Sequence, residues 1–181
     1  MKHSLFHALL LGLFLFFSLS SAYARDYREK GFKGSAGVST QIQLNTIHAW
    51  EVGLDLSLGT MLNSNHYVGG EISLRSLAQV PYYVYETRLS IHYMAYCLNR
   101  DSTPVLGVKA GTGIVSPGFS QFQFYSVFLE PLAGWSWRLS SGYGLTLSAG
   151  LDLNHSFIPI IGGSNPCWLF VAPKISFAFE F

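Results

Sequence analysis

Charge is scarce in this sequence. Lys and Arg number 11, Asp and Glu 10, and together they make up 12% of the chain, about half the charged share of an average soluble domain. The near-balance of signs gives no sustained field, so no nucleic-acid partner is expected. Cysteine is scarcer still. Cys97 and Cys167 are too few for a disulfide scaffold, and neither has a ligand-spaced partner. The histidines outside the first 24 residues (His48, His66, His92 and His155) are scattered, so no metal centre is expected. Gly162-Gly163 lacks both the strand-to-helix setting and the following Lys of a phosphate loop, and no cofactor is expected. Past the amino-terminal segment no apolar run approaches the roughly 20 residues of a membrane-spanning helix.

That amino-terminal segment has the pattern of a secretory leader. Lys2 and His3 precede an apolar run from Leu5 to about Leu19, and Ala22 and Ala24 supply the small residues of a cleavage site. The run is short for an uncleaved anchor. No Cys follows the site, which argues against lipid attachment. Residues 1–24 are therefore expected to be removed, leaving 157 of the 181 residues, enough for one domain. Residues 25–33, charged and without period, read as a periplasmic tail.

Aromatics are abundant by contrast, at 15%, and the chain ends on one. In its last nine residues Ile175, Phe177, Phe179 and Phe181 alternate with Lys174, Ser176, Ala178 and Glu180, the two-residue period of a strand with one apolar and one polar face. The same alternation recurs seven times upstream. It runs through Gly34 to Leu44, Trp50 to Gly59, Tyr67 to Ser76, Tyr82 to Tyr96, Leu106 to Gly113, Val127 to Arg138, and Leu145 to Asn154. Asn63-Ser64-Asn65, Pro81, Leu98 to Pro104, Ser116-Pro117-Gly118, Ser140-Ser141-Gly142 and a longer segment from Ser156 to Cys167 punctuate the strands.

Fourteen charged residues lie between Gly34 and the end. Arg100 and Asp101 fall in a turn. The other twelve (Glu51, Asp55, Glu71, Arg75, Glu86, Arg88, Lys109, Glu130, Arg138, Asp152, Lys174 and Glu180) all fall on the polar face. Alternation alone fits a soluble sandwich or lipocalin-like barrel equally well. Three features favour the membrane form: an apolar face that is large and free of charge, a polar face rich in Gly and Ser, and aromatics (Trp50, Tyr83, Tyr93, Trp135, Trp137, Phe181) toward strand ends, as in interfacial girdles. An exported, greasy chain without a spanning helix has one membrane solution, a closed barrel. The expected fold is all-β, an eight-stranded antiparallel up-and-down transmembrane barrel over residues 34–181 in a bacterial outer membrane. Its interior is just wide enough to be filled by side chains. These twelve charges, together with His92, are then expected to form a lumen network of ion pairs and hydrogen bonds. His92 with Glu86 and Arg88 could also suggest a proton relay; a satisfied lumen network is the plainer reading.

With both termini periplasmic, the connections near residues 45–49, 77–81, 115–123 and 155–167 face outward. Cys97 and Cys167 would then lie on opposite sides of a membrane core roughly 25 Å thick, beyond the roughly 4.4–6.8 Å Cα separation of a disulfide, so no bond between them is expected. Phe177, Phe179 and Phe181 resemble the terminal signal by which outer-membrane barrels are recognised for insertion. That implies the barrel-assembly machinery as a transient partner and outer-membrane lipid as a permanent one.

Gly31-Phe32-Lys33-Gly34, Val80-Pro81-Tyr82-Tyr83, Thr103 to Gly111 and Phe128 to Gly134 resemble the small outer-membrane β-barrel domain proteins common in Bacteroidetes, which are Gram-negative. The resemblance covers most of the chain and implies a barrel and a location but no reaction. Asn154-His155-Ser156 is faintly similar to the lipid A deacylases, eight-stranded barrels using a His, a Ser two residues later and a Glu further on. Here His155 and Ser156 are adjacent, so a strand points them to opposite faces; Phe157 occupies the nucleophile's place, and Glu180 is the only later carboxylate side chain. No catalytic residue is assigned, His155 and Ser156 remaining the weak alternative. An open solute channel is disfavoured, since aqueous pores come with about 16 strands. Two classes stay open: a structural or binding module using its outer loops towards an unidentified extracellular ligand, and a lipid-modifying hydrolase. Phe157, Ile158, Ile160 and Ile161 make the last loop the candidate surface, although the same apolar content also suits immersion in lipid headgroups.

Overall fold

A computed structural model describes residues 30–44, 50–79, 82–117, 124–139, 143–157 and 167–181. The expected leader, most of the expected tail, and the loop residues Ile158, Ile160 and Ile161 lie outside the described residues.

Eight strands follow one another: β1 Gly31–Ile42, β2 Trp50–Asn63, β3 His66–Gln79, β4 Tyr82–Tyr96, β5 Ser102–Pro117, β6 Phe124–Arg138, β7 Gly144–Phe157 and β8 Cys167–Glu180. Each pairs antiparallel with the next, and β1 pairs antiparallel with β8, so the sheet closes on itself as an up-and-down barrel. Closure leaves no edge, the condition a sheet must meet to survive in lipid.

The alternation in sequence becomes an alternation of exposure. Along β2, Val52, Leu54, Leu56 and Leu58 are exposed, while Glu51, Asp55 and Ser57 are buried. The greasy side chains thus face out and the charges face in, the reverse of a soluble barrel. The outward surface carries Leu74, Leu89, Ile91, Leu106, Val127, Leu129, Leu147, Leu151, Ile175 and Phe177. Trp50, Tyr93, Trp135 and Trp137 are exposed toward its two rims. On β4, Leu89 is 58% exposed. Leu89→Arg is expected to lower the unfolding free energy in a bilayer by about 2–4 kcal/mol, the penalty of a cation at the lipid midplane, whereas on a water-facing sheet the change would be near neutral. Urea titration of the refolded protein in vesicles distinguishes the two.

Connections differ at the two ends. At the end where β1 begins and β8 finishes, β2 and β3 are joined through Ser64 and Asn65, where the Asn65 amide donates to Asn63 Oδ1 (2.8 Å). The same asparagine is stitched to β4 by Nδ2 to Tyr96 O (2.7 Å) and by Tyr96 N to Asn65 O (2.7 Å). Cys97 is exposed in the β4–β5 turn of this end. Cys167 begins β8 at the other end, its backbone paired with Phe157. The two cysteines therefore belong to opposite ends of the barrel. Non-reducing mass spectrometry of the refolded protein should find no Cys97–Cys167 peptide; finding one would break this topology.

Several strands outrun their sequence pattern. β1 starts at Gly31, inside the segment expected to be tail, because Phe32 points outward and Lys33 inward in continuation of the period. β5 starts at Ser102 within an expected polar connection, where buried Thr103 uses its hydroxyl to accept the Leu98 amide (2.8 Å). Polar turn-type residues hide a strand that has begun.

Candidate functional site: the ion-paired lumen

Of the twelve charged residues on the polar face, eleven are buried inside the barrel, and Lys33 joins them. Arg138 corrects the expectation. It lies at the turn-end rim, its side chain 33% exposed, with Nη1 3.7 Å from Asp101 Oδ1. Ser136, one step deeper, is the last fully buried position on that strand.

Toward the loop end, Glu51 accepts from Gln41 Nε2 (2.5 Å) and from Gln43 Nε2. Gln41 in turn accepts from Arg75 Nη1 (2.6 Å). Arg88 joins Glu86 (Nε to Oε2, 2.8 Å) to Asp152 (Nη1 to Oδ2, 2.7 Å), and its guanidinium sits 4.5 Å from the centre of the Phe128 ring. Arg75 also reaches Asp152 (3.2 Å) and Glu130 (3.5 Å). At mid-height Lys174 Nζ lies 2.9 Å from Glu130 and 3.8 Å from Asp55, while Lys109 Nζ contacts both Glu71 oxygens at 2.7 Å. Near the termini, Lys33 Nζ lies 3.0 Å from Glu180 Oε2 and donates to Tyr96 Oη; Glu180 Oε1 accepts from Tyr96 (3.1 Å) and Thr146 (2.8 Å).

Every strand supplies at least one member, from Lys33 on β1 to Lys174 and Glu180 on β8. Most links cross the lumen instead of following the sheet. Desolvating so many charges is costly, and only dense mutual pairing with hydrogen bonds offsets it. The resulting network spans the lumen, so a solute path would have to break several buried ion pairs at once.

Beneath the charges, at the turn end, Met61, Tyr67, Met94, Tyr96 and Val105 form a buried apolar cluster. Nothing in the expected polar face pointed to it, although Tyr67, Met94 and Tyr96 share strand parity with Glu71, His92 and Glu86. Lys33 was legible in the same way, two residues before Ser35 in the β1 period. Its ammonium stands over the rings of Tyr96 and Tyr67, 4.4 and 5.3 Å from their centroids.

The remaining singled-out residues do not converge on chemistry. His92 is buried beside Tyr67, edge to face at 5.5 Å, and its Nδ1 is 3.7 Å from Glu71. It is not hydrogen-bonded to Glu86 or Arg88, which lie in the Asp152 cluster. His155 is cross-strand from Val127 and Leu169, both on the exposed face. Ser156 pairs with buried Ser126, and its hydroxyl donates to Asn154 Oδ1 (3.2 Å). The two side chains belong to opposite faces of β7, and a base cannot deprotonate a hydroxyl through the sheet. Phe177 faces outward; Phe179 stacks on Tyr143 at 5.2 Å, and Phe181 exchanges backbone bonds with Gly34 (2.8 and 2.9 Å). Among the described residues no cluster of three or more His, Cys, Asp or Glu is arranged to hold a metal ion.

No protein-family profile and no curated protein sequence matches the chain. Solved structures do. Neisserial surface protein A aligns at 18% identity and TM-score 0.59 over 82% of this chain and 95% of its own. Two proteins of Pseudomonas aeruginosa also match: the outer membrane protein OprG (12%, TM-score 0.54, covering 84% and 97%) and the amino-terminal β-barrel domain of OprF (11%, TM-score 0.51, covering 84% and 100%). Identities this low speak to fold, and they agree with what the exposed apolar surface and the ion-paired interior require: the chain has the closed eight-stranded fold of the small bacterial outer-membrane β-barrels.

Proposed function

We propose that the protein is a resident outer-membrane barrel acting as a structural or surface-binding module through its extracellular loops, with a lumen that carries no traffic. The observation that carries this reading is the lumen itself: Arg75, Arg88, Lys109 and Lys174 are each engaged with buried carboxylates on other strands, across the path an open channel would need. In this reading residues 1–24 are removed on export, the β2–β3, β4–β5 and β6–β7 turns face the periplasm, and the β1–β2, β3–β4, β5–β6 and β7–β8 connections face outward. The barrel-assembly machinery would recognise the aromatic carboxy-terminal strand. A Bacteroidetes-type barrel domain remains the family resemblance that best fits the sequence phrases.

The second reading, a hydrolase of outer-membrane lipid, draws support from the His155-Ser156 sequence and none from its geometry. Purified protein incubated with outer-membrane lipid extract should leave the acyl composition unchanged, and His155→Ala should behave identically. A change in acyl composition that His155→Ala abolishes would replace the module by the enzyme.

A further inference from the structure

Between the ionic network and the apolar cluster lies a cavity of about 30 Å³ whose lining includes Asp55, Glu71, His92, Lys109, Ser148 and Glu180. His92 is 5% exposed, and neither of its ring nitrogens has a hydrogen-bond partner in the protein. Its nearest carboxylate, Glu71 Oε2, is 3.7 Å from Nδ1, beyond direct hydrogen-bonding range. Asp55 Oδ1 is likewise buried without a hydrogen-bond partner. A neutral imidazole carries one donor and one acceptor, and leaving both unmet in a dry interior is costly.

The chemistry of the lining selects the occupant. Each carboxylate around the cavity already has its cation: Glu71 has Lys109 at 2.7 Å, Asp55 has Lys174 at 3.8 Å, and Glu180 has Lys33 at 3.0 Å. With charge compensated locally, an ion of either sign would enter unpaired, so the fitting ligand is neutral, small and both donor and acceptor. A water needs roughly 10–15 Å³ of such volume and two to four polar partners, so the space suits about two.

We propose that this cavity is a built internal water site, in which about two enclosed waters bridge the His92 imidazole to Glu71, Asp55 Oδ1 and the Ser148 hydroxyl. Met94 and Leu132 border the cavity, and the apolar cluster closes the turn end beneath it. The waters therefore exchange slowly, and they complete the polar network at a buried imidazole that no side chain satisfies.

The test is water-to-imidazole magnetisation transfer in the full chain, ¹⁵N-histidine-labelled and refolded in lipid nanodiscs. Transfer to the His92 ring is expected with the sign of a long-lived water, and it should persist with a gadolinium chelate in the solvent. Ser148→Leu, which places an isobutyl group in the cavity, should abolish it. Absence of transfer in the wild-type barrel overturns the site, as does quenching by the chelate, which would mean access to bulk solvent. Unchanged transfer in a Ser148→Leu protein that keeps its heat-modifiable migration does the same. Should Ser148→Leu fail to assemble, Ser176→Val, which also adds apolar bulk to the lining, takes its place with the same two outcomes.

Discussion

Replacing Arg88 by methionine is expected to destabilise the folded barrel by about 3–5 kcal/mol, the range for removing one partner of a buried ion pair. Its guanidinium reaches Glu86 on its own strand and Asp152 across the lumen, at 2.8 and 2.7 Å. Methionine keeps some of the packing over Phe128 and deletes the charge, so two buried carboxylates lose their closest cation. Asp152 retains Arg75 at 3.2 Å and Glu86 retains the Ser126 hydroxyl at 3.0 Å, which keeps the loss from doubling. Lysine should rescue in part, because a point charge cannot serve both carboxylates as a planar fork does. Adding Asp152→Asn to Arg88→Met should recover some stability by removing one orphaned charge. Urea unfolding in nanodiscs, followed by tryptophan fluorescence, reads all four proteins. An Arg88→Met barrel that unfolds at the wild-type midpoint would mean that the lumen pairs contribute nothing net, and the double variant shows whether the loss comes from stranded charge or from lost packing.

What the sequence discloses about this molecule is parity. A strand assigns alternate residues to alternate faces, so one pass along the chain sorts Glu51, Asp55, Glu71 and Arg88 from Leu54, Leu56, Ile72 and Leu89, and an uncharged greasy face then points to lipid. Parity says nothing about which buried residues meet. Arg75 and Asp152 are 77 positions apart, and their encounter depends on barrel tilt and stagger, which no local pattern encodes. The boundaries fail for a different reason. Lys33 reads as part of a charged tail because the charges before it mask a period that has only begun, and Thr103 reads as turn because its neighbours Ser102 and Pro104 are turn formers. Arg138 shows the converse, since correct parity at the rim puts a long side chain in solvent. The apolar cluster was hidden by the expectation that an inward face is polar along its whole length, whereas the turn end is sealed by Met61, Tyr67 and Met94.

Prolines refine the picture of closure. Pro131 and Pro173 lie on the outward face at the level of Leu151. The β6–β7 ladder skips from Leu129↔Leu153 to Leu132↔Gly150 around Pro131, and the β1–β8 ladder ends at Gln41↔Lys174, just short of Pro173. A proline has no amide hydrogen to give a ladder. The ladder between the first and last strands is consequently short, running from Ser35↔Glu180 to Gln41↔Lys174 with Leu44 N bonded to Val171 O (3.2 Å) beyond Pro173, while β1 and β2 pair from Gly31↔Met61 to Ile42↔Trp50.

Deletion of Phe181 is therefore expected to cut the yield of assembled, heat-modifiable barrel several-fold. The residue contributes two reciprocal backbone bonds with Gly34, Gly34 N to Phe181 O at 2.8 Å and Phe181 N to Gly34 O at 2.9 Å, at the turn end of this short ladder. Its ring packs so closely on Gly34 that a Cβ there would lie 2.5 Å from Cε2. Removing the residue removes both bonds beside Glu180, whose carboxylate is buried against Lys33, Tyr96 and Thr146. Phe181→Leu separates the contributions, because it keeps the backbone bonds with Gly34 while losing the aromatic ring. If recognition of the ring by the assembly machinery dominates, Phe181→Leu should fail in cells yet refold from urea into micelles as well as wild type, whereas the truncation should be impaired in both. Wild-type assembly of the truncated chain in cells would show that neither the terminal ring nor its pairing with Gly34 is needed to close the barrel.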